Sequence, residues 1–441
     1  SKNYEIFNLP YLFASKEAYH GVMDDALITE NIFNSTEQAG FVAVTWLDAG
    51  TRNFYTVKKA IEKPADLKGL KIRVQQSPTN IELMTLLGGS ATPMGFGEVY
   101  TALKAKFPME KSFFHGNNKT DEDIAFAMDA GVGYFIVDSL FELDAIQAEA
   151  QKRGIVQNVL LRLTPGIDPH TYEAVATGKV DSKFGVAIET GQAEVFVASA
   201  AMCDHVKVRG YHCHVGSQVF DEEGSVYTDA AKIMFSFMAE MNEKYFLEAD
   251  LLNMGGGYGV RYVESDPYVD IPANIGKVAE FVKNLAAELN VPMPKILMEP
   301  GRSIVADAGM TLYTVGTVKK IPGYKNYVSV DGGMADNPRY ILYGSQYTLL
   351  NALKLNEAHD MPCSVVGRCC ESGDIIAENV KMPESTCRGD IIACLTTGAY
   401  HYSMASNYNR IPRPPVVMLN GGESYLAVRR ETFDDVTSLD I

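Results

Sequence analysis

The feature that most constrains the fold of this chain is an alternation of short β-rich runs with amphipathic helical stretches between about residues 67 and 320. Such alternation is typical of βα units built around a parallel sheet. The candidate strands are residues 70–74, 91–94, 111–116, 133–139, 158–166, 208–217, 251–257 and 295–302. Several of them end in Gly, Ser, Pro, His or a charged residue, which is where a (β/α)8 barrel places its active-site loops. The sequence therefore predicts an α/β fold with a (β/α)8 TIM-like barrel.

The pattern changes after residue 303, where strand-like pieces follow one another without intervening helices. These pieces are MTLYTVGTVKKI, YVSVDGG, PCSVVGRCC and RGDIIACLTTGAY. They predict a separate C-terminal β domain. The predicted division is an N-terminal segment at residues 1–66, the barrel at 67–304 and the β domain at 305–441.

Composition limits the possible partners and the cellular compartment. The formal net charge of −16 argues against nucleic acid as the main partner, because phosphate backbones require clustered Lys and Arg. No apolar run is long enough to span a membrane, so no membrane partner is predicted. The seven cysteines are odd in number and include no C-x-x-C pair, which argues against a zinc site and against a disulfide framework and favours a reducing, cytoplasmic location. No metal site is predicted.

Two glycine-containing motifs follow candidate strands and could bind a flat, phosphorylated cofactor. In HCHVGSQ (212–218) an imidazole could stack on a ring while the Ser hydroxyl reaches a phosphate, although a buried structural histidine would look the same. In MGGGYG (254–259) three consecutive glycines let backbone N–H groups approach an anion without obstruction by Cβ. The spacing differs from the G-x-G-x-x-G of dinucleotide sites, and a simple tight turn is the alternative.

Four further motifs carry charged and nucleophilic groups. EPGR (299–302) offers a carboxylate that could hold a protonated pyridine nitrogen, and a guanidinium that could bind a carboxylate or phosphate through two hydrogen bonds. GRCCESGD (367–374) combines thiols with two carboxylates, and a thiol beside a positive ligand can transfer a proton. NPRYILYG (337–344) and TGAYHYSM (397–404) add an arginine and several tyrosines. Any one of these motifs could be ordinary structure.

Together and in this order, the motifs resemble the pyridoxal-phosphate decarboxylases that consist of a (β/α)8 barrel and a β domain. The stretches FHGNNKTDEDI, VRGYHCHVGSQ, EPGRSIVADAG, CCESGD and GAYHYSMASNYN are most similar to diaminopimelate decarboxylases. The resemblance extends from about residue 97 to residue 441. It implies pyridoxal 5'-phosphate as the cofactor and the conversion of meso-2,6-diaminopimelate to L-lysine and CO2 in lysine biosynthesis as the reaction.

The resemblance also implies which residues contact the cofactor. They are His214, Ser217, Gly255, Gly256, Gly257, Glu299, Gly301, Arg302 and Tyr400. The imidazole of His214 would stack on the pyridine ring, and the three consecutive glycines would surround the phosphate. The carboxylate of Glu299 would lie against the ring nitrogen, and a protonated ring nitrogen makes the cofactor an electron sink.

The substrate contacts implied by the resemblance involve Arg302, Arg339, Tyr343, Glu371 and Tyr400. The two arginines and Tyr343 would hold the substrate carboxylates, and Glu371 would hold the distal ammonium group. The implied catalytic residues are Cys370, which would return a proton after CO2 departs, and His214. In this family the loop carrying the cysteine reaches into the partner's site, which implies a homodimer with shared active sites.

One element of the family pattern is missing. The family attaches its cofactor to a lysine in a Tyr-x-x-Lys-Ala stretch roughly forty residues before the HGNNK motif, and the corresponding region here reads KGLKIRVQQSPTNIELM. Because an amide nitrogen is not nucleophilic, Gln75 cannot replace that lysine. Lys71 and Lys104 are the candidate substitutes. The stretch FYTVKKA (54–60) imitates the motif but lies more than ten residues too far upstream.

The first hundred residues resemble a different family. Residues 5–103 are similar to the middle of the solute-binding proteins of tripartite periplasmic transporters, in which arginines matching Arg52 and Arg73 hold an organic-acid carboxylate. Both families share a stretch like GEVYTAL, so a junction there preserves the helix. The segment KIRV–helix–ATPM–helix is itself a βαβα unit, and it is predicted to supply the first two strand–helix pairs of the barrel.

Three alternatives to an active diaminopimelate decarboxylase are open on the sequence alone. The chain could be a carboxylate-binding fragment of the transporter type, using Arg52 and Arg73. It could be an inactive chimera of the two families. Within the enzyme class it could be another basic amino-acid decarboxylase of the same fold, acting on ornithine or arginine.

Overall fold

The computed structural model of the protein describes residues 106–167, 178, 180–420 and 422–440. The candidate strands at 70–74 and 91–94 lie outside these residues. So does the prediction that the N-terminal segment completes the barrel, together with Arg52, Arg73, Lys71 and Lys104.

A parallel sheet forms the first part of the described chain. Its strands are β1 (Phe113–Phe114), β2 (Tyr134–Val137), β3 (Gln157–Thr164), β4 (Val186–Ala187), β5 (Val206–His212), β6 (Leu251–Asn253) and β7 (Lys295–Leu297). The spatial order is β1-β2-β3-β5-β6-β7, and β4 pairs with β3. Because strands that are neighbours in this order are parallel, their carboxyl ends meet at one edge, as they do in a barrel.

Helices follow most of these strands. They are α1 (Asp121–Asp129), α2 (Leu140–Arg153), α3 (Gln192–Ala201), α4 (Ser225–Tyr245) and α5 (Ile271–Leu289). Local signals set several of their ends. A capping box between Thr120 and Asp123 starts α1, and the Ser139 side chain caps α2, which ends at Gly154 in the left-handed conformation.

The second part is a mixed sheet accompanied by short helices and a hairpin. Its strands are β8 (Thr311–Ile321), β9 (Lys325–Val330), β10 (Leu349–Asn351), β11 (Met361–Val366), β12 (Ile375–Met382) and β13 (Ile391–Cys394), in the order β10-β13-β8-β9-β11-β12. Only β9 and β11 pair in parallel in this sheet. The helices α6 (Arg302–Val305) and α7 (Arg339–Tyr343), the hairpin β14 (Val416–Asn420)–β15 (Glu423–Val428) and α8 (Phe433–Thr437) complete the described chain.

The barrel-plus-β-domain fold predicted from the sequence is confirmed in class, with differences in detail. Six of the eight candidate barrel strands correspond to β1, β2, β3, β5, β6 and β7. The predicted strands extend too far toward their carboxyl ends. Where residues 208–217 were expected to form one strand, β5 ends at His212, because the following residues leave the ladder to form a loop. The short strand β4 and the strands β10 and β12 had not been predicted.

Each part has its own apolar core. The first core packs the sheet against α1 to α5 and includes Phe135, Phe196 and Phe235. The second core lies on the mixed sheet and includes Val328, Met361 and Ile376. Tyr262, from the loop after β6, packs into the second core, and its carbonyl accepts a hydrogen bond from Thr348 N–H over 3.1 Å. This loop therefore ties the sheet edge that carries the site to the β domain.

Candidate active site

The residues that follow the strands of the parallel sheet converge on Glu299. His115 follows β1, His212 ends β5, Asn253 ends β6 and Glu299 follows β7. His115 Nε2 lies 2.8 Å from Glu299 Oε1, and His212 Nε2 lies 3.2 Å from Oε2. Asn253 Nδ2 donates to Oε1 over 2.8 Å. The predicted ring-nitrogen ligand is thus a carboxylate with three side-chain partners.

This hydrogen bonding determines the charge of the carboxylate. Burial alone would raise the pKa of Glu299, but the hydrogen bonds from His115 and His212 outweigh it and hold that pKa well below its usual range. One ring nitrogen each of His115 and His212 and one carboxylate oxygen of Glu299 also lie within 4.8 Å of one another, a grouping that could hold a divalent ion. The distances of 2.8 and 3.2 Å are those of hydrogen bonds, and we interpret the group as hydrogen bonded.

The three consecutive glycines form a tightly packed turn beside His214. A Cβ on Gly256 would lie 2.2 Å from the Glu299 carbonyl oxygen, and one on Gly257 would lie 1.9 Å from that of Gly216. Gly255 and Gly257 also have φ values of +66° and +102°. Gly256 N–H donates to His214 Nδ1 over 3.2 Å. The turn therefore requires glycine and holds the His214 ring against it.

A pair of buried guanidinium groups lies next to this turn. Arg302 and Arg339 are 8% and 4% exposed, and each donates to the hydroxyl oxygen of Tyr262, over 2.8 and 3.0 Å. Arg302 also donates to Ser217 Oγ over 3.0 Å. Among the described residues neither guanidinium forms an ion pair with a carboxylate, and Arg302 Nε has no hydrogen-bond partner. Two buried cations without a counter-ion favour binding of an anion at this position.

The predicted contact residue Tyr400 packs onto the same arginine. The guanidinium carbon of Arg302 lies 4.8 Å from the centre of the Tyr400 ring. Tyr400 has a φ of +58°, which is rare for a bulky residue. Its hydroxyl oxygen would lie 2.9 Å from a Cβ on Gly301, so a glycine at 301 lets the ring approach. Tyr343, also predicted, lies in α7 with its ring centre 6.0 Å from the guanidinium carbon of Arg339.

The loop that carries Cys370 and Glu371 is anchored but leaves both side chains exposed. Buried Asp374 accepts backbone hydrogen bonds from Met334 over 2.6 Å and from Cys369 over 2.7 Å. Within the described residues no hydrogen bond joins Cys370 or Glu371 to the Glu299 group. Asp374 thus holds this loop in place. The predicted proton donor Cys370 and the predicted ammonium ligand Glu371 are exposed on its outer side.

Of the lysines that the structure describes, Lys119 alone is buried. Its Nζ donates to Glu142 Oε1 over 2.6 Å and to the carbonyl oxygens of Gly116 and Ile136 over 2.8 and 2.7 Å. An amine with all three protons engaged in this way is poorly suited to covalent attachment of a cofactor. Lys119 therefore does not replace the missing family lysine.

Sequence reasoning missed four residues of this site: His115, His212, Asn253 and Tyr262. A signal for His212 was present, because residues 212 and 214 are two apart and a strand places such residues on the same face. Asn253 lies within the predicted strand 251–257, two residues before Gly255, and a polar residue in an otherwise apolar and glycine-rich run is the signal that could have marked it. Nothing local marks Tyr262, because its role depends on arginines 40 and 77 residues away.

We expect acid to destabilise the fold through His212. Burial lowers the pKa of this imidazole to about 3, against about 6.5 in the unfolded chain. The unfolded state therefore binds more protons below pH 6.5, so the stabilisation is fully present above that pH and is lost as the pH falls toward 3. At pH 5 the loss should be about 2 kcal/mol.

Urea unfolding at pH 7.5 and pH 5.0 tests this expectation. The His212→Gln variant should show a smaller decrease in the free energy of unfolding between the two pH values than the unsubstituted protein. The partly exposed His205, which bonds the Ile155 carbonyl, provides the control variant His205→Gln, which should retain the full decrease. An unchanged pH dependence in His212→Gln would show that this histidine does not carry the effect.

Comparison with known protein families agrees with the geometry. The family model described as pyridoxal-dependent decarboxylase, pyridoxal binding domain, matches residues 70–306. The match thus begins earlier than residue 97. A second model, described as bacterial extracellular solute-binding protein, family 7, matches residues 1–107. The two matches overlap at residues 70–107, on either side of the predicted junction.

Individual relatives extend this result over most of the chain. The diaminopimelate decarboxylase of Bacillus subtilis is 42% identical over 379 residues, covering 85% of this chain and 86% of the relative. That of Halalkalibacterium halodurans is 43% identical over 360 residues, covering 82% and 81%. The crystal structure of the M. jannaschii diaminopimelate decarboxylase in complex with L-lysine has a TM-score of 0.72 and 32% identity, covering 83% of each chain.

Proposed function

The chain belongs to the pyridoxal-dependent decarboxylase family, and from this membership and the geometry of the site we propose that it converts meso-2,6-diaminopimelate to L-lysine and CO2. The observation that carries the proposal is the pair of buried arginines, Arg302 and Arg339, that share Tyr262 and have no carboxylate partner among the described residues. A site for a dicarboxylic amino acid requires such cationic groups beside the cofactor. The named relatives are diaminopimelate decarboxylases.

The residues present fit pyridoxal 5'-phosphate. The glycine turn at 255–257 leaves no room for side chains, so its backbone can approach a phosphate, and His214 is held beside it. Ionised Glu299 suits a protonated ring nitrogen. When bound, the cofactor would accept the electron pair of the bond that breaks as the carboxylate departs. Ser217 accepts a hydrogen bond from Arg302, and Gly301 leaves room for the Tyr400 ring.

The remaining roles belong to residues around the arginine pair. In this proposal Arg302, Arg339 and Tyr343 bind the substrate carboxylates, and Glu371 binds the distal ammonium group. Cys370 returns a proton to the substrate, with a thiol that is exposed on its anchored loop. Tyr400, which packs on Arg302, contacts both substrate and phosphate.

The proposal includes a homodimer in the cytoplasm. The outward-facing Cys370 and Glu371 need a surface opposite them, which a second copy would supply. Leu419 and Leu426 of the β14–β15 hairpin are 77% and 59% exposed, which also favours a covered surface. All seven cysteines are free thiols, as suits a reducing compartment. No helix in the described part of the chain is long and apolar enough to cross a membrane.

We also propose that the chain consists of an N-terminal segment at residues 1–66, the barrel at 67–304 and the β domain at 305–441.

Release of CO2 from carboxyl-labelled meso-diaminopimelate by the full chain with pyridoxal phosphate tests the proposal. Borohydride reduction followed by mass spectrometry should place the cofactor on a lysine outside the described residues, such as Lys71 or Lys104, and not on Lys119. The Arg339→Met variant should lose substrate turnover by at least about 100-fold while still binding the cofactor. The exposed Arg388 provides the control Arg388→Met.

The other outcomes separate the alternatives. No CO2 and no labelled lysine in a folded protein would overturn the proposal and identify an inactive chimera. Faster release of CO2 from ornithine or arginine would reassign the substrate. The match of residues 1–107 to solute-binding proteins favours a second candidate function, binding of an organic acid. Tight binding of such an acid without cofactor would support that function instead.

A further inference from the structure

The Glu299 carboxylate is held by donors from three different strand ends. His115 and His212 contact different oxygens, at 2.8 and 3.2 Å, and Asn253 contacts the first of them at 2.8 Å. His115 follows β1, His212 and Asn253 end β5 and β6, and Glu299 itself follows β7. The direction of the carboxylate is therefore determined by the sheet and not by its own loop alone.

The protonation of His212 follows from its surroundings. The side chain is 1% exposed, and burial lowers its pKa to about 3, so the ring is neutral at physiological pH. Its Nδ1 is buried without a hydrogen-bond partner among the described residues. Because the Nε2 atom faces the carboxylate, the single proton belongs on Nε2, where it is donated to Glu299.

The hydrogen-bond partners of Asn253 also determine the orientation of its amide group. Its Nδ2 donates to Glu299, while its Oδ1 accepts a hydrogen bond from the Gly255 N–H over 2.9 Å. Rotating the amide by 180° would place oxygen against carboxylate and NH2 against N–H, so this orientation is the favourable one. Gly255 carbonyl also accepts from Glu299 N–H over 2.7 Å. Asn253 thus connects the carboxylate to the glycine turn.

We propose that His115, His212 and Asn253 are positioning residues that keep Glu299 ionised and directed at the cofactor's ring nitrogen. This inference rests on the proposed function. Transfer of a proton from a carboxylic acid to pyridine becomes more favourable as the carboxylate is stabilised, and three donors stabilise it. A bound ring nitrogen would then keep its proton, opposite an anion whose orientation the three hydrogen bonds hold.

Other charged groups lie near Glu299 and its three donors, and they can also contribute to the pH dependence of the site. Arg162 in β3 lies close enough to influence Glu299 and His212, and it is paired with Asp138 at 3.7 Å. His214 and the thiol of Cys213, in the loop after β5, also lie close enough to interact electrostatically with this carboxylate. The hydrogen bonds to Glu299 Oε1 and Oε2 come from His115, His212 and Asn253, so removing one of these donors changes the carboxylate directly.

The test measures pyridoxal-phosphate affinity and the pH dependence of the bound cofactor's absorption spectrum. The Asn253→Asp variant is isosteric and replaces the donor by a like charge, and His212→Phe removes a donor. Each should weaken cofactor binding at least about tenfold and shift the pH at which the spectrum changes. The conservative His212→Gln variant, which keeps an N–H donor, should restore affinity to within about threefold of the unsubstituted protein.

Asn274→Asp is the matched control, because Asn274 is equally buried but lies in α5 and bonds the Asp221 carbonyl. It should lower stability without changing cofactor affinity or spectrum. If His212→Phe fails to fold, the less buried His115→Phe provides the same comparison. Unchanged affinity and spectra in the folded variants would overturn the positioning role. Failure of the unsubstituted protein to bind the cofactor would instead overturn the proposed function.

Discussion

Gly257→Ala should weaken pyridoxal-phosphate binding by at least about 100-fold, equivalent to about 2.7 kcal/mol. A Cβ at this position would lie 1.9 Å from the Gly216 carbonyl oxygen and 3.3 Å from His214 Cε1. The first atom belongs to the backbone, so the turn itself must move. The φ of +102° is also one that side-chain-bearing residues rarely adopt. A displaced turn no longer directs its N–H groups at a phosphate.

Equilibrium titration with pyridoxal phosphate, followed by absorption and fluorescence, measures this effect. Gly276→Ala is the control, since Gly276 lies in α5 and a Cβ there meets nothing within 4 Å. Alanine at a helix position of this kind should raise stability by up to about 1 kcal/mol and leave cofactor affinity unchanged. Unaltered affinity in a folded Gly257→Ala protein would remove the glycine turn from the phosphate site.

The sequence predicted the class of fold because alternation of strands and helices is a local signal with a strong topological consequence. It predicted strand ends poorly. The predicted strands 251–257 and 295–302 included Gly255 and Glu299, because these residues directly follow apolar runs in the sequence. In the structure β6 ends at Asn253 and β7 ends at Leu297. Those few residues leave the ladder because they turn into the site. Boundary errors were therefore concentrated at the positions where the site is built.

Within the site, residues recognisable by motif were predicted and their supporting partners were not. Glu299 and Arg302 stand in EPGR, a motif with an evident chemical meaning. The partners His115 and Tyr262 acquire their roles only when distant segments meet, since His115 is 184 residues from Glu299. Pairings of this kind depend on the tertiary arrangement of strand ends, for which a single sequence contains no local pattern.

Lys119→Met should lower the free energy of unfolding by about 3–5 kcal/mol, because it leaves a carboxylate buried without its cation. The Lys119–Glu142 pair has side-chain exposures of 1% and 5% and an N–O distance of 2.6 Å. Burial lowers the pKa of Lys119 and raises the pKa of Glu142, and each partner opposes the shift of the other. Two backbone carbonyls, of Gly116 and Ile136, also lose their donor.

Two further variants separate burial from charge pairing, with urea unfolding as the measurement. Lys152–Glu149 has a similar N–O distance of 2.7 Å, but the lysine is 71% exposed, so Lys152→Met should cost less than about 1 kcal/mol. The double variant Lys119→Met, Glu142→Met removes both charges and should recover much of the stability. Equal costs for the two single variants would contradict this account. Borohydride labelling of Lys119→Met should be unchanged, since an amine held by three oxygens stabilises the barrel and does not anchor the cofactor.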